Sequence, residues 1–265
     1  MARSNVGPLV RHWRAQRSRS QLDLAMSVGV SPRHLSFVET GRSRPSPELI
    51  EAIGIHLDVP LRERNAMLLA AGHAPKYRQT SLDDPAMAPV AASLRRILAA
   101  HEPYPGFVLD RQWNVVLANA TGQGWAALLP GPLTRPSMNV FRVGLHPDGF
   151  ARFTVNFDAW AAYLLGQLDR IATLTADPEV ASLRDEVRAY PNVAELLDRA
   201  TWNTSRDLPQ LLVPCELDIG GTRISMFTTL TSFGTPMDIT LDELAVELFF
   251  PSDDASATFF GATPS

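Results

Sequence analysis

Residues 20–44, SQLDLAMSVGVSPRHLSFVETGRSR, constrain this 265-residue chain most, because they place a short helix, a glycine turn, a second helix and a basic exit in that order. The first helix is expected to open at Gln21, with Leu22, Ala25 and Met26 on one face at i, i+3, i+4 spacing and Ala25 small enough for another helix to cross closely. Gly29 breaks it. Ser31 suits a helix N-cap, Pro32 suits the first helical position because its missing N–H has no partner to lose there, and Leu35 and Val38 face inward. The outward face is then Pro32, Arg33, His34, Ser36 and Phe37. Gly41 supplies the left-handed residue that ends this helix, ahead of Arg42 and Arg44. Two helices joined in this way make a helix-turn-helix, whose second member lies in a DNA major groove.

Leu9, Gln21, Ala25, Gly29, Ser31, Leu35, Glu39, Gly41, Pro45 and Leu57 together resemble the Xre/Cro/C1 class of helix-turn-helix repressors. The resemblance implies that Gln21 holds a phosphate, that Pro32, Arg33 and Phe37 face base edges with Ser31 and His34 beside them, and that Thr40, Arg42 and Arg44 hold the DNA backbone. It also matches Arg14 and Glu39 to a pair that ties the first helix to the third. Chemically, Arg33 is the residue suited to guanine O6 and N7, and Phe37 to a thymine methyl. The expected partner is a double-stranded DNA operator, bound by a homodimer because operators of this class are two-fold.

Charge is divided along the chain. Residues 1–80 hold 12 Lys and Arg against 6 Asp and Glu, whereas the remainder holds 12 against 22. A basic head attracts phosphate, and an acidic body does not. The length beyond the head suffices for a second core, so the expected domains are 1–74 (DNA-binding), a linker over 75–89 rich in Pro, Ser and Asp, and 90–265 (sensor). One cysteine, Cys215, excludes an internal disulfide framework and reads as a small apolar filler. The N-terminus lacks an apolar signal core and no run has the length of a membrane helix, so a cytoplasmic protein without membrane contact is expected.

Within the head, helices are predicted over 9–17, 21–28, 31–40, 47–57 and 61–71, the last with Leu61, Met67, Leu68 and Ala71 inward. Another is predicted over 87–100. The period then changes: 106–119 reads as two short strands around Asp110, Arg111 and Gln112, with Trp113, Val115 and Leu117 on one face of the second. Residues 120–129 read as a helix and 130–136 as a loop, with further helices over 158–175, 178–190 and 193–199. Strands return over 210–219, 222–231 and 245–251, with Gly220 and Gly221 as the tight turn between the first two. The fold class is therefore two-domain: an all-α, five-helix head followed by an α+β body with an antiparallel sheet and a helical insert.

The ordered pieces PGFVLDRQW (105–113), Asn119, Asn139, Phe141, His146, Pro147, 157–160, the stretch from Asp177 and the final hairpin resemble the PAS-like ligand-binding domain of MmyB-like bacterial transcription regulators. That resemblance implies a sheet with helices on one side, enclosing an apolar cavity for a small apolar effector of fatty-acyl type. No other cofactor and no metal is expected. Trp113, Trp125, Phe141, Phe153, Phe157, Trp160, Leu164, Met226 and Phe227 offer suitable walls, although ordinary core packing accounts for any one of them equally. Asn119, Arg142, His146 and Arg223 are the candidate polar anchors. Two other classes compete. Gly122-x-Gly124-x-x-Ala127 imitates a dinucleotide motif, but a Pro-rich loop stands where the second strand and its acid should be, and catalytic and metal motifs are missing, so an enzyme is not expected. The acidic, apolar ending with Leu241, Leu244, Leu248, Phe249 and Phe250 leaves open a body that serves only for dimerisation or protein interaction.

Overall fold

The computed structural model describes residues 6–175, 177–199 and 212–261. It forms two compact units: one runs to Asp84 and takes in Phe233–Asp242, and the other comprises Pro85–Ser232 and the chain from Glu243.

In the first unit, helices α1 (Gly7–Gln16), α2 (Gln21–Ser27), α3 (Pro32–Glu39), α4 (Pro47–His56) and α5 (Leu61–Ala70) fulfil the five-helix expectation. Ser20, Ser31 and Ser46 each cap a helix by accepting the N–H three residues on. α3 ends as expected at Gly41, whose φ is 71°: the Gly41 N–H reaches the Val38 carbonyl and the Arg42 N–H that of Phe37, satisfying two orphan acceptors. The core holds Val10, Trp13, Leu24, Ala25, Leu35, Val38, Ile50, Ile53, Met67 and Leu68. One expectation fails here. Leu22 and Met26 are 55% and 72% exposed, and Leu24 with Ala25 takes their place inside. The phase of α2 is fixed by Gln21, whose side-chain amide donates to Glu39 at 2.7 Å and so turns the next residue outward.

Glu39 organises this unit. Its side chain is fully buried at the end of α3 and receives Arg14 from α1 at 2.6 and 3.0 Å, as well as Gln21 from α2. α1 crosses so closely that a Cβ on Gly7 would lie 2.4 Å from the Glu39 carbonyl oxygen, which makes glycine obligatory there. The Arg14–Glu39 tie implied by the resemblance is thus present, with Gln21 as an added partner.

The first unit is completed by residues distant in sequence. Pro60 leaves α5 without a capping side chain, and the Leu61 N–H donates instead to the Asp242 carboxylate at 2.8 Å. Asp238 accepts the Thr80 hydroxyl at 2.6 Å, the Ile239 N–H donates to the Arg78 carbonyl, and Ile239 is buried with Leu61 and Tyr77. Asn65 accepts the Lys76 and Tyr77 N–H groups, so the start of the segment read as a linker is held by hydrogen bonds.

In the second unit, α6 (Ala88–Ala100) precedes strands β1 (Gly106–Leu109) and β2 (Val115–Ala118), and then α7 (Ala120–Ala126), α8 (Gly131–Thr134), α9 (Val140–Leu145), α10 (Phe157–Thr175), α11 (Pro178–Arg188) and α12 (Pro191–Asp198). Strands β3 (Cys215–Ile219), β4 (Thr222–Ser232) and β5 (Ala245–Pro251) and helix α14 (Asp254–Phe259) follow, while helix α13 (Ile239–Glu243), between β4 and β5, belongs up to Asp242 to the first unit. The sheet has five strands in the order β2-β1-β5-β4-β3, every neighbour antiparallel, so the first hairpin and the last strands meet along β1 and β5. Gly220 and Gly221, at φ 63° and 85°, make the expected turn. The expected start of the third strand at Gln210 lies outside the described residues.

Three local expectations need correction. Trp113 is not on β2: Asp110 accepts the Gln112 and Asn114 N–H groups, winding a turn that puts Trp113 at φ 67°. Residues 131–134 are a helical turn, and α9 and α14 went unread because both are too short to show a period. Helices also cover both faces of the sheet. His101 of α6 packs edge-on to Phe250 at 4.7 Å, on the face opposite Phe249, which points toward the other helices.

The Glu39 cluster has a measurable signature. Burial pushes its carboxyl up, but hydrogen bonds and charge from Arg14 and Gln21 outweigh burial and leave it below the usual carboxylate range. A carboxyl lowered on folding stabilises above its unfolded pKa of about 4.3 and loses that contribution as pH falls through its folded value. Thermal melts from neutral pH downward should therefore show an acid loss that shrinks in Glu39→Gln. Glu39→Ala should cost about 3 kcal/mol by stranding Arg14, and a cost below about 1 kcal/mol would show the pair to be dispensable.

Candidate functional site

Two surfaces carry chemistry. On the first unit, α3 and its exit expose Pro32, Arg33 and Arg42, while Leu35 and Val38 lock the helix into the core. Arg33 and Arg42 flank the Phe37 ring at 5.4 and 6.0 Å, which pre-arranges two guanidinium groups around one flat apolar face. Among the described residues neither arginine forms a salt bridge. The structure separates the other implied contacts from this trio. The side chains of Gln21, Ser31 and Thr40 are engaged internally, with Glu39, the His34 N–H and the Ser36 carbonyl respectively. Arg44 bonds the Gly72 carbonyl at 2.5 Å and reaches His73, while His34 lies half-buried.

On the second unit, the inner sheet face and helices α9 and α10 leave a cavity of about 220 Å³. Trp113, Trp125, Phe141, Trp160 and Leu164 line it, as the sequence reading proposed, joined by Phe107, Phe150, Tyr163 and Phe249. The strained φ of Trp113 sends its indole against Phe141 at 5.2 Å on the cavity wall. The rings touch at tilted angles: Trp125 lies 5.5 Å from Phe150 and 5.9 Å from Phe249. Met226 is fully buried in the neighbouring cluster, and Phe153 sits beneath Arg152 at 4.5 Å. Phe157 packs against the α10–α11 core, and Phe227 stacks on Phe250 at 5.4 Å; neither borders the cavity.

None of the four candidate polar anchors reaches the cavity. Asn119 caps α7, accepts the Gly106 and Gly122 N–H groups, and donates to the Tyr104 and Leu98 carbonyls. Arg142 forms a two-pronged pair with Glu186 at 2.7 and 2.8 Å. The His146 ring accepts the Asp148 N–H and packs on Tyr190, and Arg223 is an exposed residue of β4. Asn119, Arg142 and His146 each have a partner that sequence spacing alone did not reveal, and Arg223 stands on the solvent side of its hairpin. The cavity's polar groups are instead Glu247, Thr228, Cys215, Gln167 and, at an exposed position, Arg170. Burial raises the Cys215 thiol well above its ordinary value, keeping it neutral and unreactive. Glu247 is not among the sequence-derived candidates, although the predicted strand 245–251 alternates it with Phe249 and so places both on the inner face.

The rival readings meet specific geometry. Gly122 and Gly124 lie inside α7 and not in a loop before it, and Gly122 serves packing, since a Cβ there would press Phe107 at 2.8 Å. Leu244 is buried, Phe249 faces the cavity and Phe250 stacks inside, leaving little of the apolar ending as free surface. Among the described residues no His, Cys, Asp and Glu cluster is arranged to hold a metal, and no helix is long and apolar enough to cross a membrane.

The comparisons agree with this division. Residues 90–261 match the model of the MmyB-like transcription regulator ligand binding domain, and residues 10–64 match a helix-turn-helix model. The chain belongs to the MmyB-like transcription regulators. A crystal structure of the clp gene regulator ClgR from Corynebacterium glutamicum is 28% identical over 39% of this chain and 96% of its own, with a TM-score of 0.24. No curated protein matches. This regulator is therefore a DNA-binding helix-turn-helix protein with a ligand-binding body.

Asn119 offers a check on the separation of scaffold from site. Asn119→Ala removes four hydrogen bonds from buried backbone groups, and urea denaturation should register a loss of about 2–3 kcal/mol. A neutral substitution would mean that those groups find other partners.

Proposed function

We propose that this MmyB-like regulator reads an operator through Arg33, Phe37 and Arg42 as a homodimer, and that a small apolar effector in the aromatic cavity sets its affinity for DNA. The observation that carries the reading is the route of the chain between the two. β4 and β5 bring Thr228, Leu230, Glu247 and Phe249 to the cavity, and the segment that joins them, Phe233–Asp242, is built into the DNA-binding unit. An effector that favours one arrangement of these strands thereby biases the cap on α5 and the Ile239 contact, and shifts the population competent for DNA. An acyl chain suits the walls. A body that only dimerises the head has less support, because its aromatic rings surround space and do not fill it.

The DNA half of this reading is tested on a duplex selected from a random pool. Arg33→Ala should cost about 1–3 kcal/mol and relax one base position, whereas Arg42→Ala should weaken all sequences alike and lower the salt slope by about 1. Unchanged affinity in both variants would remove α3 from the groove.

The coupling half is tested at Asp238, which faces no DNA and no cavity. Effector coupling of the usual size, about 1–3 kcal/mol, should fall toward zero in Asp238→Ala while operator affinity without effector stays within about twofold. Coupling that survives the substitution would place the signal elsewhere.

A further inference from the structure

Glu247 is an acid on the cavity side of the sheet. It lies on β5, the middle strand, beside Phe107 of β1 and Leu230 of β4 in the same cross-strand row, and its carboxyl accepts a hydrogen bond from the Thr228 hydroxyl one row away. Burial pushes it up to about 7, against the Thr228 hydroxyl, which pulls it down. The other titratable groups on the cavity wall are Tyr163, Cys215 and Arg170, of which Arg170 is exposed to solvent. Cys215, whose thiol the Glu247 charge helps to raise, adds no positive charge. Phe107 flanks the acid in its own row, and the wall further includes Trp125, Trp160 and Phe249.

This combination discriminates between ligand head groups. A carboxylate entering beside Glu247 would set two anions together in a low-dielectric space, so one of them would have to take up a proton. A protonated amine meets an opposite charge and the electron-rich faces of the rings at the same point. We propose that the cavity takes an apolar molecule bearing a protonated amine, with Glu247 as its counter-ion. Binding converts the protonated Glu247 carboxyl to carboxylate, its proton leaves to solvent, and the ammonium keeps its own. The inference rests on the reading of the cavity as the effector site, and it gives that small apolar effector an ammonium head on an aliphatic or aromatic body in place of a fatty acid's carboxylate.

Isothermal calorimetry of the full chain with decylamine, decanol and decanoate separates these statements. Decylamine should bind at least about tenfold more tightly than decanoate, Glu247→Gln should abolish that preference while leaving decanol unchanged, and proton release should appear as a buffer-dependent heat. Decylamine affinity should fall about fivefold between pH 7 and pH 6, as the counter-ion is lost to protonation. The ranking in the unaltered protein stands whether or not the variant folds. Decanoate binding equal to or tighter than decylamine, or an amine preference that persists in Glu247→Gln, would overturn the inference while leaving the cavity as an effector site. Binding of none of the three compounds would overturn the cavity reading itself, and the inference with it.

Discussion

The buried carboxylate of Glu39 is the interaction on which the DNA-reading unit depends. It sits at the end of α3, is excluded from water, and is satisfied only because α1 delivers Arg14 and α2 delivers Gln21 to the same point. A buried charge without those partners would cost several kcal/mol, so the three helices are obliged to meet in one geometry. That geometry presents the Arg33–Phe37–Arg42 face outward. Packing alone, through Leu35 and Val38, would hold α3 to the core but would leave its angle less constrained. The polar cluster thus contributes orientation more than net stability, and orientation is what groove binding requires.

The second unit is governed by a different constraint, the shape of its aromatic side chains. Close packing leaves few voids larger than a water molecule in an ordinary core. Here Trp125 of α7 meets Phe150 and Phe249 at tilted angles, with centroid separations of 5.5 and 5.9 Å, Phe107 of β1 meets Phe249 of β5 edge-on, and the rings enclose space between them. Trp113 is held in a left-handed backbone conformation at the edge of that space, a local cost offset by the Asp110 turn. A cavity kept open by strained and tilted rings, with one acid on its floor, is more economically explained by a ligand than by imperfect packing.

The two units also differ in how much of each was legible in the chain. The head was readable because its signals are local: serine caps one residue before a proline, Gly41 at a helix end, and inward Leu35 and Val38 at helical spacing. Even there the phase of α2 was missed, since it follows from a bond between Gln21 and Glu39 that no helical period encodes. In the body, the strands over 245–251 and 222–231 and the glycine turn between β3 and β4 were evident from alternation and turn chemistry. Five aromatic or aliphatic wall residues were likewise identified from type and order. The polar anchors were not, because Asn119 and Arg142 look the same in sequence whether they face a ligand, a helix end or Glu186. The docking of 233–242 into the head is a contact between residues 61 and 242, a pairing that only the folded chain displays.

Amide hydrogen exchange of the full chain, with and without a duplex selected from a random pool, tests the central claim most directly. On this account DNA slows exchange across residues 31–44. Tight binding with no change over 31–44, and new protection on the body instead, would contradict it.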